Sequence, residues 1–367
     1  MRILSIVTLV SPLGEYGGPV RVAVNQAIEL RRLGHEVLLA GSARGYEAGR
    51  PTELEGVPAA LYPARTLLPG IGFAGLAAPG LHRRLARLTR NVDVVHIHAA
   101  RDLVTLPAAD WVRRRGIPYV VQTHGMITPT ERMLARPLDA WLTRRVLRDA
   151  KRIFYLTERE KNELPQVGGS ALKLEQLGNG VPVPRVYPTP PGVEVLYLAR
   201  LAERKRPIEF VEMAKRVGPE FPDVRFRLVG PDEGQGSRVA EAIRDSDGVD
   251  IEWEGAISPD AAVERISRAT IYVLPSVDEP FPMSVLEAMS LGVPVVITDS
   301  CGLAPLVDDE KCGVVVDDSL SSLVAAVTSL LRDPDRAREL GATGARVTRQ
   351  RLGMTAVGHQ LERAYSR

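Results

Sequence analysis

The chain has 367 residues, 45% of them hydrophobic and 25% charged, which is the ordinary balance of a globular protein. No apolar run reaches the roughly 18 residues that a membrane-spanning helix needs, so the composition excludes a protein of that class. A chain of this length exceeds what one hydrophobic core usually serves, and we therefore expect two domains.

The N-terminal residues predict a first strand. Met1 and Arg2 lead directly into the apolar run ILSIVTLV, and no small-residue cleavage site follows, so a secretory signal peptide is not expected. Only Cys301 and Cys312 are present, which is too few for a disulfide framework and fits a reducing compartment. These features predict a cytoplasmic protein.

Charge is distributed unevenly along the chain. Residues 1–185 carry 26 Lys and Arg against 16 Asp and Glu, a net of +10, whereas the remainder carries 21 against 29, a net of −8. Basic residues cluster in three expected helices, 81–90, 111–116 and 141–152. These are either solvated helix faces or a surface that attracts anionic lipid headgroups or a phosphorylated acceptor. Nucleic acid is not expected, since no aromatic stacking residues are interleaved with the arginines.

Short apolar runs rich in Val and Ile alternate with helix-period segments along the chain. The runs are RILSIVTLV, HEVLLAG, VDVVHIHA, PYVVQTHG, RIFYLT, VEVLYLAR, VRFRLVG, VDIEWEG, IYVLPS, VPVVITD and GVVVD. They predict an α/β protein with parallel sheets covered on both faces. A proline- and glycine-rich stretch interrupts the pattern, so we expect an N-terminal domain over 1–182, a linker over 183–193 and a C-terminal domain over 194–350. Two such sheets would have a cleft at the carboxyl ends of their strands.

The segment DEPFPMSVLEAM, residues 278–289, places two glutamates eight positions apart between two predicted strands. Pro282 suits a first helical turn and Gly292 a helix end. Glu279 is therefore expected in the loop before the helix, and Glu287 within the helix.

The start of this helix predicts an anion site. The unpaired amides there belong to Met283, Ser284 and Val285. Together with the helix dipole they suit a diphosphate. A carboxylate would repel phosphate, so each glutamate is expected to accept hydrogen bonds from flanking hydroxyls, those of a sugar on one side and a ribose on the other.

The chain resembles the retaining glycosyltransferases of family 4, which have the GT-B fold of two Rossmann-like domains facing each other across a cleft. Glu279 and Glu287 match the family's two glutamates separated by seven residues, and LEAMSLGVPVV continues that motif. Other segments resemble the family in the same order: GGPVRVAVNQAIELRRLGHEVLLA, VDVVHIH, THG and the phosphate-clamp segment LARLAERKRP. The resemblance covers nearly the whole chain, and it implies that 351–367 form a helix returning to the N-terminal domain.

The resemblance implies roles for residues of the C-terminal domain. Glu287 would accept a hydrogen bond from the nucleotide ribose, and Glu279 one from a hydroxyl of the donor sugar. Arg200 and Lys205 match the diphosphate-binding pair, whose charges would stabilise the leaving nucleotide. The same run offers two alternative cations, Arg204 and Arg206. Pro282 replaces a glycine common in the family, which leaves the donor preference open.

In the N-terminal domain the resemblance points to His124, Gly17 and Gly18. His124 ends a predicted strand and would lie beside the reacting sugar, where it could accept a hydroxyl contact or stabilise positive charge at the anomeric carbon. The two glycines follow the first strand and would let a backbone approach the phosphates closely. His96 and His98 share one strand face and are interpreted as structural histidines.

Two other patterns have ordinary explanations. The triplet DSD at 245–247 is interpreted as a turn rather than a metal site, and Thr157 with Glu160 has the spacing of a capping box, without a catalytic role. No further His or Cys stands at the spacing of zinc ligands, so no metal is expected.

These features predict a retaining hexosyltransferase that moves a sugar from a nucleotide diphosphate sugar to an acceptor hydroxyl, in cell-surface polysaccharide or glycolipid synthesis. No cofactor is expected. The acceptor is expected to be a glycan or lipid-linked molecule on the basic N-terminal domain, with a peripheral contact to anionic lipid at the inner face of the membrane. Two alternatives stay open: a nucleotide-sugar epimerase of the same architecture, and a non-catalytic sugar-nucleotide binding protein.

Overall fold

The computed structural model describes residues 1–12, 17–47, 49–130, 135–182, 191–246, 248–258 and 261–366. The chain forms two compact units, the first made of Met1–Gly180 with Met354–Arg367 and the second of Val181–Gly353. The expected linker, 183–193, lies mostly outside the described residues, and its last residue, Val193, begins a strand.

Strands and helices alternate along most of the first unit. The strands are β1 (Arg2–Val10), β2 (Glu36–Ala43), β3 (Glu53–Leu54), β4 (Val57–Pro63), β5 (Arg65–Thr66), β6 (Leu76–Ala77), β7 (Val94–His98), β8 (Tyr119–Gln122), β9 (Arg152–Tyr155) and β10 (Leu174–Gln176). The helices are α1 (Gly17–Arg32), α2 (Pro79–Leu88), α3 (Thr105–Arg114), α4 (Ala135–Leu138), α5 (Arg144–Asp149) and α6 (Glu158–Gly168), with a 3₁₀ turn at Gly72–Gly75 and a π-helical turn at Asp139–Thr143. The main sheet has the order β10-β9-β8-β7-β1-β2-β4-β3 and is parallel except for β3.

The second unit has the same alternation. Its strands are β11 (Val193–Leu198), β12 (Val224–Val229), β13 (Ile251–Trp253), β14 (Ile271–Leu274), β15 (Val295–Thr298) and β16 (Val314–Val316). Its helices are α7 (Pro207–Val217), α8 (Gly236–Arg244), α9 (Ala262–Ser267), α10 (Met283–Ser290), α11 (Ala304–Asp309), α12 (Leu320–Arg332) and α13 (Pro334–Arg351), with 3₁₀ turns at Glu203–Lys205 and Gly218–Glu220. The parallel sheet order, β13-β12-β11-β14-β15-β16, is the 3-2-1-4-5-6 order of a Rossmann sheet.

The last helix, α14 (Met354–Ser366), packs against α1 and belongs to the first unit. Its apolar side chains, including Leu361, join a core formed with α1 on one face of the first sheet. On the other face, Leu81 of α2 and Val112 of α3 contribute to a separate core. Because helices cover both faces, the central strands are buried throughout, which explains their continuous apolar runs.

The α/β fold with two Rossmann-like sheets is confirmed, and a strand lies within each apolar run that predicted one. The sequence patterns missed β4, a partly exposed strand near the sheet edge. It contains Pro58 and Pro63 and therefore lacks a continuous Val and Ile run. Among the helices of the described residues, none has the length and apolar composition needed to span a bilayer.

Candidate functional site

The second unit carries the two glutamates that the sequence motif singled out. Glu279 lies in the loop between β14 and α10, and Glu287 lies in the second turn of α10. Both are buried, with relative exposures of 8% and 5%. A buried carboxylate is costly unless other groups pair with it, and two cations pair with Glu279.

Lys205 and Arg204 both donate hydrogen bonds to Oε2 of Glu279. The Arg204 contact measures 2.8 Å, and the same Arg204 nitrogen lies 3.1 Å from the carbonyl oxygen of Asp278. Burial lowers the pKa of Lys205, while the charge of Glu279 and its hydrogen bond act in the opposite direction. Arg204, Lys205 and Glu279 thus bring two positive charges and one negative charge together in the structure. Glu279 precedes the first residue of α10, Met283, by four positions in the sequence.

Arg204 joins Lys205 at Glu279, and the diphosphate-binding pair of Arg200 and Lys205 stays a prediction. Arg200 pairs with Glu233, which follows β12. Arg206 donates a 2.8 Å hydrogen bond to the carbonyl oxygen of Asp318. Of the two alternative cations in the sequence, Arg204 is therefore the one that shares Glu279.

The start of α10 has the form that the sequence predicted. Pro282 is the N-cap residue, with φ −72° and ψ 117°, and it provides no side-chain cap. The first three helical residues are Met283, Ser284 and Val285, whose amides have no intrahelical acceptor because of helix geometry. The helix ends before Gly292, whose φ of +77° is the left-handed conformation that glycine adopts readily.

Tyr272 connects this helix start to the sheet, a role that no motif in the sequence indicates. Its hydroxyl lies 2.7 Å from Ser284 Oγ and 2.9 Å from the carbonyl oxygen of Leu198. Burial raises the pKa of Tyr272, and the charges of Glu287 and Glu279 raise it further. The only sequence signal was a tyrosine in an otherwise apolar buried strand, where a hydroxyl requires a partner.

The glycines of the first unit lie at the start of α1. Gly17 is its first residue, and Gly18 follows. A Cβ atom built on Gly18 would meet nothing within 4 Å. The fold therefore does not require a glycine at this position for packing.

His124 follows β8 in the first unit and has a left-handed backbone, with φ +52°. Its Nε2 lies 2.9 Å from His98 Nδ1, and the two rings are nearly parallel. Burial lowers the pKa of His124 to about 3, so its ring is neutral at neutral pH. His98, interpreted from the sequence as structural, thus contacts the candidate catalytic histidine directly.

His96 extends this group of rings into the core. It stacks on His98, with ring centres 4.4 Å apart, and its Nδ1 lies 2.8 Å from the hydroxyl of Tyr365 on α14. Burial lowers the pKa of His96 to about 3. The Nε2 atoms of His96 and His98 have no hydrogen-bond partner among the described residues.

The helix-capping prediction has a clear structural outcome. Thr157 caps α6 by accepting a hydrogen bond from the amide of Glu160, which confirms the capping interpretation. Asp245 ends α8, whereas Asp247 lies outside the described residues. Within the described ranges, no three His, Cys, Asp or Glu side chains come together as metal ligands.

Comparisons with known proteins agree with this organisation. The family model for "Glycosyl transferase 4-like domain" matches residues 17–180, and that for "Glycosyl transferases group 1" matches residues 190–347. The α-maltose-1-phosphate synthase of Mycolicibacterium smegmatis is 26% identical over 62% of this chain and 67% of its own length. A GDP-mannose-dependent α-(1-6)-phosphatidylinositol monomannoside mannosyltransferase of Mycobacterium tuberculosis is 26% identical over 77% of this chain and 76% of its own length.

Solved structures share the fold over the full chain. The crystal structure of Anabaena Alr3699/HepE in complex with UDP and glucose has a TM-score of 0.79 and 17% identity, and the match covers 100% of this chain and 99% of that one. Two glycosyltransferase family models match successive parts of the chain, and both sheets have the Rossmann arrangement. The chain therefore belongs to the family 4 glycosyltransferases of the GT-B fold.

Proposed function

We propose that this glycosyltransferase moves a hexose from a nucleoside diphosphate sugar to an acceptor hydroxyl with retention of the anomeric configuration. The observation that carries the proposal is the contact of Lys205 and Arg204 with Glu279, four residues before a helix start with no side-chain cap. Cations and amides suit a diphosphate, and a carboxylate beside them suits a sugar hydroxyl.

The donor class is supported by relatives as well as by the site. The M. tuberculosis relative is GDP-mannose-dependent, and the Anabaena structure contains UDP and glucose. In this chain an ammonium group with three donors can bond both Glu279 and a phosphate oxygen. Lys205 is therefore proposed to bind the diphosphate with Arg204 or Arg200, while Glu279 accepts from the sugar and Glu287 from the ribose.

The proposed reaction uses no enzymic nucleophile. The bond between the anomeric carbon and the leaving phosphate oxygen breaks, and the acceptor oxygen bonds to the same face of that carbon. The acceptor proton passes to the leaving diphosphate. The cations stabilise the negative charge that develops there, which is usually a large contribution to transferase catalysis. His124, neutral at pH 7, is proposed to act through a hydrogen bond to a sugar hydroxyl rather than as a cation.

A nucleotide panel followed by product analysis tests this function. UDP, GDP, ADP and their hexose conjugates are compared by thermal shift, since a ligand at 100 times its Kd stabilises the folded state by roughly 2.7 kcal/mol. The bound donor is then incubated with simple glycoside acceptors, and proton NMR reports the anomeric configuration of the product. A retained configuration supports the proposal, and an inverted one overturns the mechanism.

The same experiment distinguishes the alternative functions. Conversion of the donor sugar without an acceptor would assign an epimerase. Tight donor binding with neither product would assign a binding protein, and Glu279→Gln would then change affinity without changing any rate.

For the acceptor, we propose a lipid-linked or membrane-adjacent glycan approached from a basic surface of the first unit. Exposed arginines on neighbouring helices form this surface: Arg83, Arg84 and Arg87 on α2, Arg114 on α3, and Arg144, Arg145 and Arg148 on α5. Trp141, in the π-helical turn before α5, is 73% exposed. Arginines with an exposed tryptophan suit the interface of an anionic membrane.

Vesicle sedimentation tests the membrane contact. Binding to vesicles of phosphatidylglycerol and phosphatidylcholine should exceed binding to phosphatidylcholine alone and should weaken as salt rises past about 0.15 M. Replacing Arg144 and Arg145 by glutamine should weaken binding to the anionic vesicles relative to the unmodified protein. Replacing Arg336 and Arg338, which are exposed on α13 of the other unit, should leave vesicle binding unchanged. Binding that salt does not change would remove the membrane from the proposal.

A further inference from the structure

Glu160 is a buried carboxylate that the proposed reaction does not use. It is the third residue of α6 and is only 3% exposed. Its Oε1 accepts hydrogen bonds from the hydroxyl of Thr123 and, at 2.7 Å, from the amide of Gly125. Its Oε2 accepts from the amide of Leu156 at 2.7 Å. All three partners are donors, so the position suits a group that only accepts, which is an ionised carboxylate.

Two of these donors flank His124 in the chain. His124 and Gly125 both have left-handed backbones, with φ of +52° and +71°. A non-glycine residue in this conformation is strained and persists only when its surroundings hold it there. The Glu160 carboxylate accepts hydrogen bonds from the residues on either side of His124, Thr123 and Gly125. Its third hydrogen bond, from the amide of Leu156 after β9, holds the carboxylate in place.

Helix capping accounts for only part of this arrangement. In a capping box the third helical residue returns a hydrogen bond to the backbone of the N-cap residue. Here Thr157 does accept from the amide of Glu160, at 3.2 Å, but the Glu160 carboxylate bonds the preceding residue, Leu156, and a separate loop. A cap alone would not require contacts to Thr123 and Gly125.

We propose that Glu160 is a positioning residue that holds His124 in its left-handed conformation and keeps its ring against His98. The inference rests on the proposed function only for its catalytic readout, because the role of His124 is part of that function. The contacts themselves all lie within the first unit.

Glu160→Gln tests the proposal with minimal change in volume. The amide nitrogen would place a donor against one of the existing donors and displace the loop. We expect kcat to fall about 10- to 100-fold, since misplacement of a reacting group by about 1 Å can cost that much. The thermal shift produced by nucleoside diphosphate should stay the same. Glu158→Gln, in the same turn but exposed and paired with Lys161, is the matched control and should leave kcat unchanged.

A double variant separates positioning from a general loss of structure. On a His124→Ala background, Glu160→Gln should produce no further loss of kcat, because the residue that it positions is already gone. If the double variant instead loses kcat by the product of the two single-variant losses, the proposal is overturned. If Glu160→Gln does not fold, Thr123→Val with Thr123→Ser as its control applies the same test, since serine retains the hydroxyl donor.

A readout independent of activity uses protein labelled with ¹⁵N in its histidine rings. The ring nitrogen signals of His124 should move in Glu160→Gln and remain in place in Glu158→Gln. Unchanged His124 signals would overturn the positioning role even if no transfer were detected. Failure of the proposed function would instead be seen as absence of turnover in the unmodified protein.

Discussion

His98 Nδ1 and His124 Nε2 lie 2.9 Å apart, a hydrogen-bond distance at which the N–H of one neutral imidazole donates to the other. Burial lowers the pKa of His98 well below its ordinary value and that of His124 to about 3. The neutral state makes one nitrogen of the pair the donor and the other the acceptor. The nitrogen that carries the proton in one ring therefore depends on the tautomer of the other.

His96 and His124, whose rings are neutral in the fold, predict a loss of stability in mild acid. As pH falls, the unfolded chain takes up protons near pH 6.5, whereas folded His96 and His124 resist protonation until about pH 3. The stability that these two histidines contribute is therefore fully present above pH 6.5 and is lost as pH falls toward 3, by up to about 1.4 kcal/mol per histidine for each pH unit. Urea unfolding at pH 7 and pH 5 measures the slope. His96→Gln should reduce it, and His359→Gln, at an exposed position, should not.

Lys205→Ala should reduce kcat by about 10²- to 10³-fold, the usual effect of removing one group that stabilises developing charge. The variant also leaves the buried Glu279 carboxylate with Arg204 as its remaining partner among these cations, so some loss of stability is expected. Single-turnover transfer assays and urea unfolding measure the two effects. Lys215→Ala, which removes a lysine paired with Glu212 on α7, is the control. Equal rates for the two variants would contradict a diphosphate role for Lys205.

Tyr272→Phe should destabilise the protein by about 1–2 kcal/mol, because the buried hydroxyl then no longer bonds Leu198 or Ser284. It should also raise the KM for donor, since Ser284 belongs to the helix start proposed to bind phosphate. Tyr119→Phe is a close control, because its hydroxyl bonds a buried carbonyl, that of Val146, in the first unit. It should lower stability comparably and leave the donor KM unchanged.

Gly18→Ala should keep or slightly raise stability, since its Cβ meets open space and alanine is about 1 kcal/mol better than glycine inside a helix. If a donor phosphate approaches this backbone, the added methyl group should weaken donor binding several-fold. Isothermal titration with the donor, alongside thermal unfolding, checks both effects. Unchanged donor affinity would show that Gly18 has no part in phosphate binding.

The sequence predicted what depends on neighbours along the chain. Apolar runs located the buried strands, and Pro282 with Gly292 located the ends of α10, because backbone geometry restricts those positions. Side-chain contacts between segments far apart in the sequence could not be predicted from such local patterns. That Arg204 and Lys205 both reach Glu279 depends on how the turn at Glu203–Lys205 directs its side chains.

Glu160 shows the same limit. Its spacing from Thr157 predicted a cap, which is correct, but nothing local in the sequence links it to Thr123, 37 residues earlier. That contact arises because β8 and β9 are parallel neighbours, which brings the loop after β8 beside the start of α6. Partners of a buried carboxylate are set by sheet topology rather than by sequence spacing.

The packing of α14 on α1 has a consequence for synthesis on the ribosome. The apolar layer of the first unit is incomplete until Leu361 and Tyr365 have been translated, some 180 residues after the rest of that unit. The second unit is contiguous in the chain, so it can fold as it leaves the ribosome. The first unit, in contrast, lacks α14 until translation ends, and one face of its sheet stays partly exposed to solvent until then. A polypeptide ending at residue 353 should accordingly aggregate or recruit chaperones, although every strand of both sheets is present.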